Sequence, residues 1–412
     1  MITNGINLHY KNIVTSIIYM LILFFLERFM NFSFMDSETI IREFYIWSSR
    51  IVFIFLLFLY IWSFDFKISI PVVLCGVLGG EFLFSTIINN GDIQTCMGMV
   101  YPIIGTICFI ELVIKKYNKP MLLVHSLAIV MYIIVCINLA DLVINSDASI
   151  YSLYAVNNTL IAGKNQVGVP LIIGLMFINC WSQNTTYRFI KLLELTYIIV
   201  LISTVILTMS GTSIISTFIV IGMLEMPIIK KILMKVRTTN VLISYLIFWF
   251  LFVVIRIQSL FSSIIEDILQ KDLTLTNRTD IWDVALENIK YNFILGHGIS
   301  ESGNHFSIIY FQNGYELSSV LSAHNFGLQM LYEGGFLAII ILLLFMFISI
   351  IVKNNFNSLY PFFVSLMGVL IICLTEAINI YGIIFILIFC YYSKIFYNNK
   401  EDQKMGGVIK DE

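Results

Sequence analysis

Long apolar runs alternate with short polar stretches along almost the whole chain. They fall at 12–30, 45–63, 68–88, 98–114, 121–140, 161–181, 192–209, 213–229, 239–257, 323–352, 359–376 and 381–397. As a helix, each approaches or exceeds the length that crosses about 30 Å of hydrocarbon. A β-barrel would show short segments alternating every second residue instead. The pattern predicts an all-α polytopic membrane protein with about twelve transmembrane helices. The first run lacks a small-residue cleavage site and reads as an uncleaved span. One stretch breaks the rhythm, so the chain divides into nine spans (1–257), a large loop (258–322), three spans (323–397) and a tail (398–412).

Composition agrees with this reading. Of 412 residues, 59% are hydrophobic and 12% charged, against about 25% charged in soluble domains. The distribution of charge orients the chain. Lys115, Lys116 and Lys119, then Arg188 and Lys191, then Lys230, Lys231, Lys235 and Arg237, then Lys353, lie on alternate loops, and the tail adds Lys394, Lys400, Lys404 and Lys410. The positive-inside rule puts these loops and both termini in the cytoplasm of a cell whose cytoplasmic membrane holds the protein. The large loop then faces outward. From Arg256 onward its acids (Glu266, Asp267, Asp272, Asp280, Asp283, Glu287, Glu301, Glu316) outnumber its bases (Arg256, Lys271, Arg278, Lys290). The seven cysteines lie mostly within apolar runs without C-x-x-C spacing, which fits buried small hydrophobes rather than disulfides or metal ligands.

Within the loop, residues 278–290 predict an amphipathic helix. Ile281, Ala285 and Ile289 share one face, with Trp282 and Phe293 beside it; Asp283, Glu287 and Lys290 share another. Thr279 or Asn277 is the expected cap, and Gly296-His297-Gly298 the expected stop. The helix is expected on the membrane surface or on the outer ends of the spans. The following span opens with His324-Asn325. At 100° per residue, Leu328, Leu331 and Gly335 fall on the face of His324, with Gly335 about 16 Å deeper. A glycine there admits a neighbouring helix or a lipid tail. Spacing alone leaves two readings of His324-Asn325: a helix cap among headgroups, or a reactive pair at the lip of a gap. Lys164-Asn165, between Gly163 and Gln166, stands at the outer end of the sixth span, either as a snorkelling anchor or as an anion ligand at a helix start. Among acids in or near the spans, Glu376, near an outer end, is the better site candidate, since intramembrane acids are costly and often functional.

In this order the pieces resemble the O-antigen ligase and polymerase family of membrane glycosyltransferases. The family pattern is many spans, one large outer loop towards the C-terminal third, and a motif H-[NSQ]-x9-G-x-x-[GTY]. Here His324-Asn325 is followed after nine residues by Gly335, while Ala338 departs at the last position. "NRTDIW" and "NFILGHG" resemble the family's loop stretch, and "GKNQVG" its asparagine-bearing segment. The family's serine-arginine pair is met here by Ser210-Gly211, without arginine. One expected diphosphate contact is thus unmatched, with Lys164 or Arg256 as substitutes.

The resemblance implies joining of glycans outside the membrane from undecaprenyl diphosphate-linked donors onto a glycan acceptor. A lipid diphosphate is already a good leaving group. Cationic side chains can neutralise its developing charge without a metal or other cofactor, and Arg278, Lys164 and Arg256 are the candidates, Arg278 for bidentate contact. The acceptor hydroxyl needs a base, and His324 takes that role in this reading, with Asn165, Asn325, Gly335, His297 and Glu376 in support. Attack opposite the diphosphate inverts the anomeric carbon. The expected activity is polymerisation of repeat units for capsule, exopolysaccharide or O-antigen. The alternatives are ligation of finished glycan to another acceptor and flipping of lipid-linked sugars. A transporter more often shows two similar halves, and no such repeat is evident. A chain-length regulator and a flippase are the expected protein partners, with membrane lipid around the spans and no nucleic acid.

Overall fold

Each of the twelve apolar runs contains a helix, but several of these helices are shorter than the runs. The computed structural model describes residues 2–26, 40–65, 67–144, 159–257, 278–300, 306–312, 315–351 and 356–396. In chain order the helices are α1 (Ile2–Leu26), α2 (Ile40–Ser63), α3 (Ile70–Ile88), α4 (Ile93–Glu111, continued by a π turn Leu112–Lys116), α5 (Pro120–Ile144), α6 (Gly168–Gln183) and α7 (Arg188–Thr208). They continue as α8 (Gly211–Glu225), α9 (Pro227–Leu233), α10 (Thr238–Val253), α11 (Arg278–Ile289), α12 (Phe326–Ile351), α13 (Phe356–Cys373) and α14 (Ile380–Tyr391). Between α11 and α12 an antiparallel hairpin pairs β1 (Phe306–Gln312) with β2 (Tyr315–Leu321), so the loop contains strand as well as helix.

Helix length supports part of the expected twelve spans. Among the described residues six helices are long and apolar enough to cross a membrane, or seven if α8 and α9 form one span bent by 89°. Five apolar helices are shorter: Asn12–Leu26, Gly168–Gln183, Thr238–Val253, Asn357–Cys373 and Ile380–Tyr391. Local chemistry accounts for much of the shortening. The sixth run folds first into a turn, with Gln166 N–H donating to Gly163 at 2.9 Å, before α6 begins. In the eighth, Pro227 cannot donate to the preceding turn and instead starts a new helix. Two of the short helices are central. α14 is buried at every position and α6 at all but Trp181 and Gln183. By contrast α2 exposes Ile51, Ile54, Phe55, Phe58 and Trp62, and α10 exposes Ile243, Ile247 and Phe250. Apolar surface of that extent suits lipid rather than water.

The tenth run is broken. α12 begins at Phe326, not at 323, and has a non-helical residue at Gly335, φ 64° and ψ −166°. In an unbroken helix Phe336 N–H would donate to Tyr332 and Leu337 N–H to Glu333. Here Phe336 donates to Phe293 O at 2.8 Å and Leu337 to Ile294 O at 3.2 Å, while Tyr332 O accepts from His297 at 2.6 Å and Glu333 O from Gly298 at 2.9 Å. The segment 293–298 is thus spliced into the hydrogen-bond ladder of α12, and these two donors and two acceptors keep partners across the break. Gly335 and Gly296 make the close approach possible. A Cβ on Gly335 would stand 2.3 Å from Ile294 O, and one on Gly296 2.5 Å from Gly335 N. The neighbour admitted by Gly335 is therefore the backbone of residues 293–298, which corrects the expectation of a helix or lipid tail.

α11 packs on this assembly by the face that its sequence predicts. Ile281, Trp282, Ala285 and Ile289 are buried with Val253, Ala323, Leu328 and Tyr332. It thus sits on the ends of α10 and α12. Of the two expected caps, Thr279 lies inside the helix, and Asn277 falls outside the described residues. The tail 398–412 and all of 258–277 also lie outside them.

Candidate active site

The two residues of the His324-Asn325 pair do different things. Asn325 is the cap. Its Oδ1 accepts from Leu328 N–H at 3.0 Å and from the Trp249 indole at 3.1 Å, and its Nδ2 donates to Leu374 O at 2.8 Å. Asn325 is fully buried, so it fixes the start of α12 against the end of α13. His324 is held just outside the helix in the left-handed region, φ 44°. The shared helical face assigned to His324 and Gly335 therefore does not exist, because His324 precedes the helix and Gly335 interrupts it.

Pinning Leu374 brings Glu376 beside His324. The Glu376 carboxylate is 4% exposed and pairs through Oε1 with Arg278 Nη2. Its Oε2 lies 3.7 Å from His324 Nδ1. His324 keeps 32% of its side chain exposed and Arg278 17%, so both open outward from a buried acid. Glu376 is Arg278's partner among the described residues, which leaves most of the five guanidinium donors for an anion. At 3.7 Å the histidine contact is longer than a hydrogen bond, yet a base and its orienting carboxylate are often loose before substrate binds.

Lys164 and Asn165 approach from α6. Gln166 Nε2 donates to Ala377 O at 3.0 Å, and Ser213 donates to Asn165 O at 3.1 Å. The turn that carries Lys164 is thereby tied to the residue after Glu376. Lys164 is half-buried and has no ion pair among the described residues. Gln166 and Trp249 were not singled out by sequence reasoning; their roles arise from long-range contacts that no local pattern announces.

Two candidates are committed elsewhere. Arg256 donates to Thr279 O at 2.9 Å and to Asp283 at 2.5 Å, and lies over the Trp282 ring at 4.9 Å. Its geometry holds α11 in place rather than offering a diphosphate contact. His297 stacks on Tyr332, centroids 4.5 Å apart, with Nε2 3.0 Å from Asn288 O and Nδ1 3.4 Å from Asn292. It belongs to the spliced turn. Ser210, at the place of the missing serine-arginine pair, is buried and donates to Ser213 at 3.0 Å.

Two spaces flank the start of α12. An apolar groove of about 340 Å³ runs between α10 and α12 from Trp249 and Phe326 to Thr239 and Ile351. A second cavity, of about 240 Å³, has Ser322, Gln329, Glu333, Ala377 and Asn379 in its wall. Phe326 lines both.

The O-antigen ligase family model matches residues 196–343. The matched segment runs from α7 into α12 and includes Arg256, Arg278, His297, His324, Asn325 and Gly335; Lys164 and Glu376 lie outside it. The resemblance read from the sequence is shown over that segment. No curated protein and no solved structure matches the chain.

Proposed function

We propose that this multi-pass membrane protein is a glycosyltransferase that polymerises undecaprenyl diphosphate-linked oligosaccharide units at the outer face of the cytoplasmic membrane. The observation that carries the reading is the meeting of Arg278, Glu376 and His324, three residues far apart in sequence, with an apolar groove whose wall begins at Phe326, two residues after His324. His324 takes the proton of the acceptor hydroxyl. The oxygen attacks the anomeric carbon, and the carbon–oxygen bond to the diphosphate breaks on the opposite face, inverting configuration. The lipid diphosphate leaves with the electron pair. Arg278, with Lys164 as a second cation, compensates the charge that develops there. Glu376 orients the imidazole and stabilises its protonated form, as the acid of a catalytic triad does. The polyprenyl chain lies in the groove between α10 and α12, with its diphosphate at the Trp249–Phe326 end.

The test is chain extension by purified protein supplied with lipid-linked repeat units. Wild-type protein is expected to give a ladder of products and His324→Asn single units. Conversion by the His324→Asn protein at the wild-type rate would move the base elsewhere. The family description, an O-antigen ligase, favours a second reading, transfer of finished glycan to another acceptor. A deletion strain separates the two: a polymerase defect leaves single lipid-linked units, and a ligase defect leaves long lipid-linked chains. Accumulation of units on the inner leaflet would point to a flippase. A chain-length regulator and a separate flippase are the partners that the polymerase reading needs.

A further inference from the structure

The cavity behind Phe326 takes no part in the steps above. Its wall reaches the site from both sides, because Ser322 lies two residues before His324 and Ala377 follows Glu376. Its polar groups are organised. Gln329 Oε1 accepts from Ala323 N–H at 2.8 Å, and Gln329 Nε2 donates to Glu333 Oε1 at 2.9 Å. These two bonds fix the amide and aim it at the carboxylate, which has acceptor capacity beyond one bond. On a separate element, Asn379 Oδ1 accepts from Tyr381 N–H at 2.9 Å, so its amide group keeps donors for another partner. Asn379 is exposed, which places the mouth of the cavity at the outer end.

This chemistry selects among possible occupants. A lipid tail would leave Glu333 and Gln329 facing hydrocarbon, at a cost of several kcal/mol for an ionised group. A diphosphate would meet the Glu333 carboxylate, a like charge. Sugar hydroxyls both donate and accept, and suit a wall of carboxylate and amides. The volume, about 240 Å³, is below the ~300–1,000 Å³ of pockets that take drug-sized ligands; it suits one sugar ring, not a whole repeat unit. Met99, Met330 and Phe326 supply the apolar faces.

We infer that this cavity receives the acceptor's terminal sugar ring, and that Glu333 and Gln329 read the hydroxyls beside the attacking one. The inference rests on the glycosyl-transfer reading and adds to it a site of acceptor specificity, separated from the donor lipid by Phe326. Acceptor sugar and donor lipid then approach His324 from opposite sides of that ring.

The probe is the repeat-unit oligosaccharide freed by mild acid from the producing cell's lipid-linked pool, used as acceptor with intact lipid-linked units as donor. Glu333→Gln and Gln329→Leu are each expected to raise the acceptor KM roughly tenfold or more, the scale of one lost hydrogen bond to a charged group. The donor KM and the rate at saturating acceptor should stay within about twofold, an expectation that follows from uniform binding. An unchanged acceptor KM, or a rise in donor KM instead, overturns the inference. A second measurement needs no activity. The thiol introduced by Ser322→Cys should be shielded from a charged methanethiosulfonate by the oligosaccharide at concentrations that saturate wild-type protein, and absence of shielding also overturns it. Wild-type protein that consumes donor yet ignores the free oligosaccharide would exclude a sugar site here. Wild-type protein that consumes no donor at all would instead remove the underlying reading.

Discussion

At the scale of single residues, the cap and the proposed base are neighbours with different surroundings. Asn325 makes three hydrogen bonds and is buried, whereas His324 keeps its ring partly open beside Glu376. His324→Ala is expected to lose roughly 10²–10⁴-fold in rate, the scale of general acid–base catalysis. His324→Asn should be nearly as poor, although asparagine tolerates the left-handed backbone that His324 adopts. Both should melt like wild type. Asn325→Ala should instead lower the melting temperature, since loss of a cap alone costs about 0.5–2 kcal/mol. Thermal melts and initial rates on the same three proteins check this; an inactive but stable Asn325→Ala would break the assignment. Arg278→Ala and Lys164→Ala should cut chain extension at normal protein level, and Arg278→Lys should rescue poorly, because a point charge cannot reproduce the guanidinium fork. Near-wild-type polymer from both alanine proteins would remove the cationic part of the proposal. Arg278, His324 and Glu376 each stand out in the sequence as charged or titratable groups in outer, apolar surroundings. Their meeting does not, because it depends on Asn325 holding Leu374, a contact between residues 49 apart.

At the scale of elements, the broken α12 is the least legible feature and the one on which the site most depends. The glycines at 296, 298, 334 and 335 mark punctuation in the sequence. The exchange of hydrogen bonds between 293–298 and 332–337 is non-local and leaves no periodic trace. Gly335→Ala should therefore fail by folding rather than by chemistry. A residue with a Cβ at φ 64° is strained by about 1–3 kcal/mol, and its Cβ would press on Ile294 O. The expected outcome is poor yield or a large drop in detergent stability, read by size-exclusion thermal shift. A stable but inactive Gly335→Ala would give the glycine a role in the reaction instead. Arg256 makes the same distinction on α11. Its bonds to Thr279 and Asp283 and its place over Trp282 tie a loop helix to the end of α10. Arg256→Ala should lower stability and leave the donor KM near wild type, opposite to the pattern expected of a diphosphate ligand. The apolar face of α11 was legible because 3.6-residue periodicity is local; what it packs against was not.

At the scale of the whole molecule, hydropathy marks every apolar run that holds a helix, and among the described residues six or seven of these helices are long and apolar enough to cross a bilayer. A run such as 381–397 counts residues, whereas α14 has twelve helical residues, about 18 Å at 1.5 Å each. Such a helix need not meet lipid at all: α14 is buried on every side by protein, where irregular backbone at its ends is tolerated as it would not be in hydrocarbon. The alternation of basic loops therefore carries the orientation, and orientation decides whether the site can see lipid-linked sugars outside. The basic stretch around Lys230 and Lys231 closes the end of α9, and Ser302 follows the spliced turn in sequence, within the expected large loop. If that loop faces outward, a cysteine replacing Ser302 should react with an impermeant thiol reagent in intact cells. A cysteine replacing Lys231 should react only after the membrane is opened. The native thiols give a low background, six being buried and Cys136 half-buried. The opposite pattern would put Arg278, Glu376 and His324 on the cytoplasmic side. It would separate them from any glycan assembled outside, and the transferase reading would fall with the topology, because no rearrangement of side chains moves a site across the bilayer.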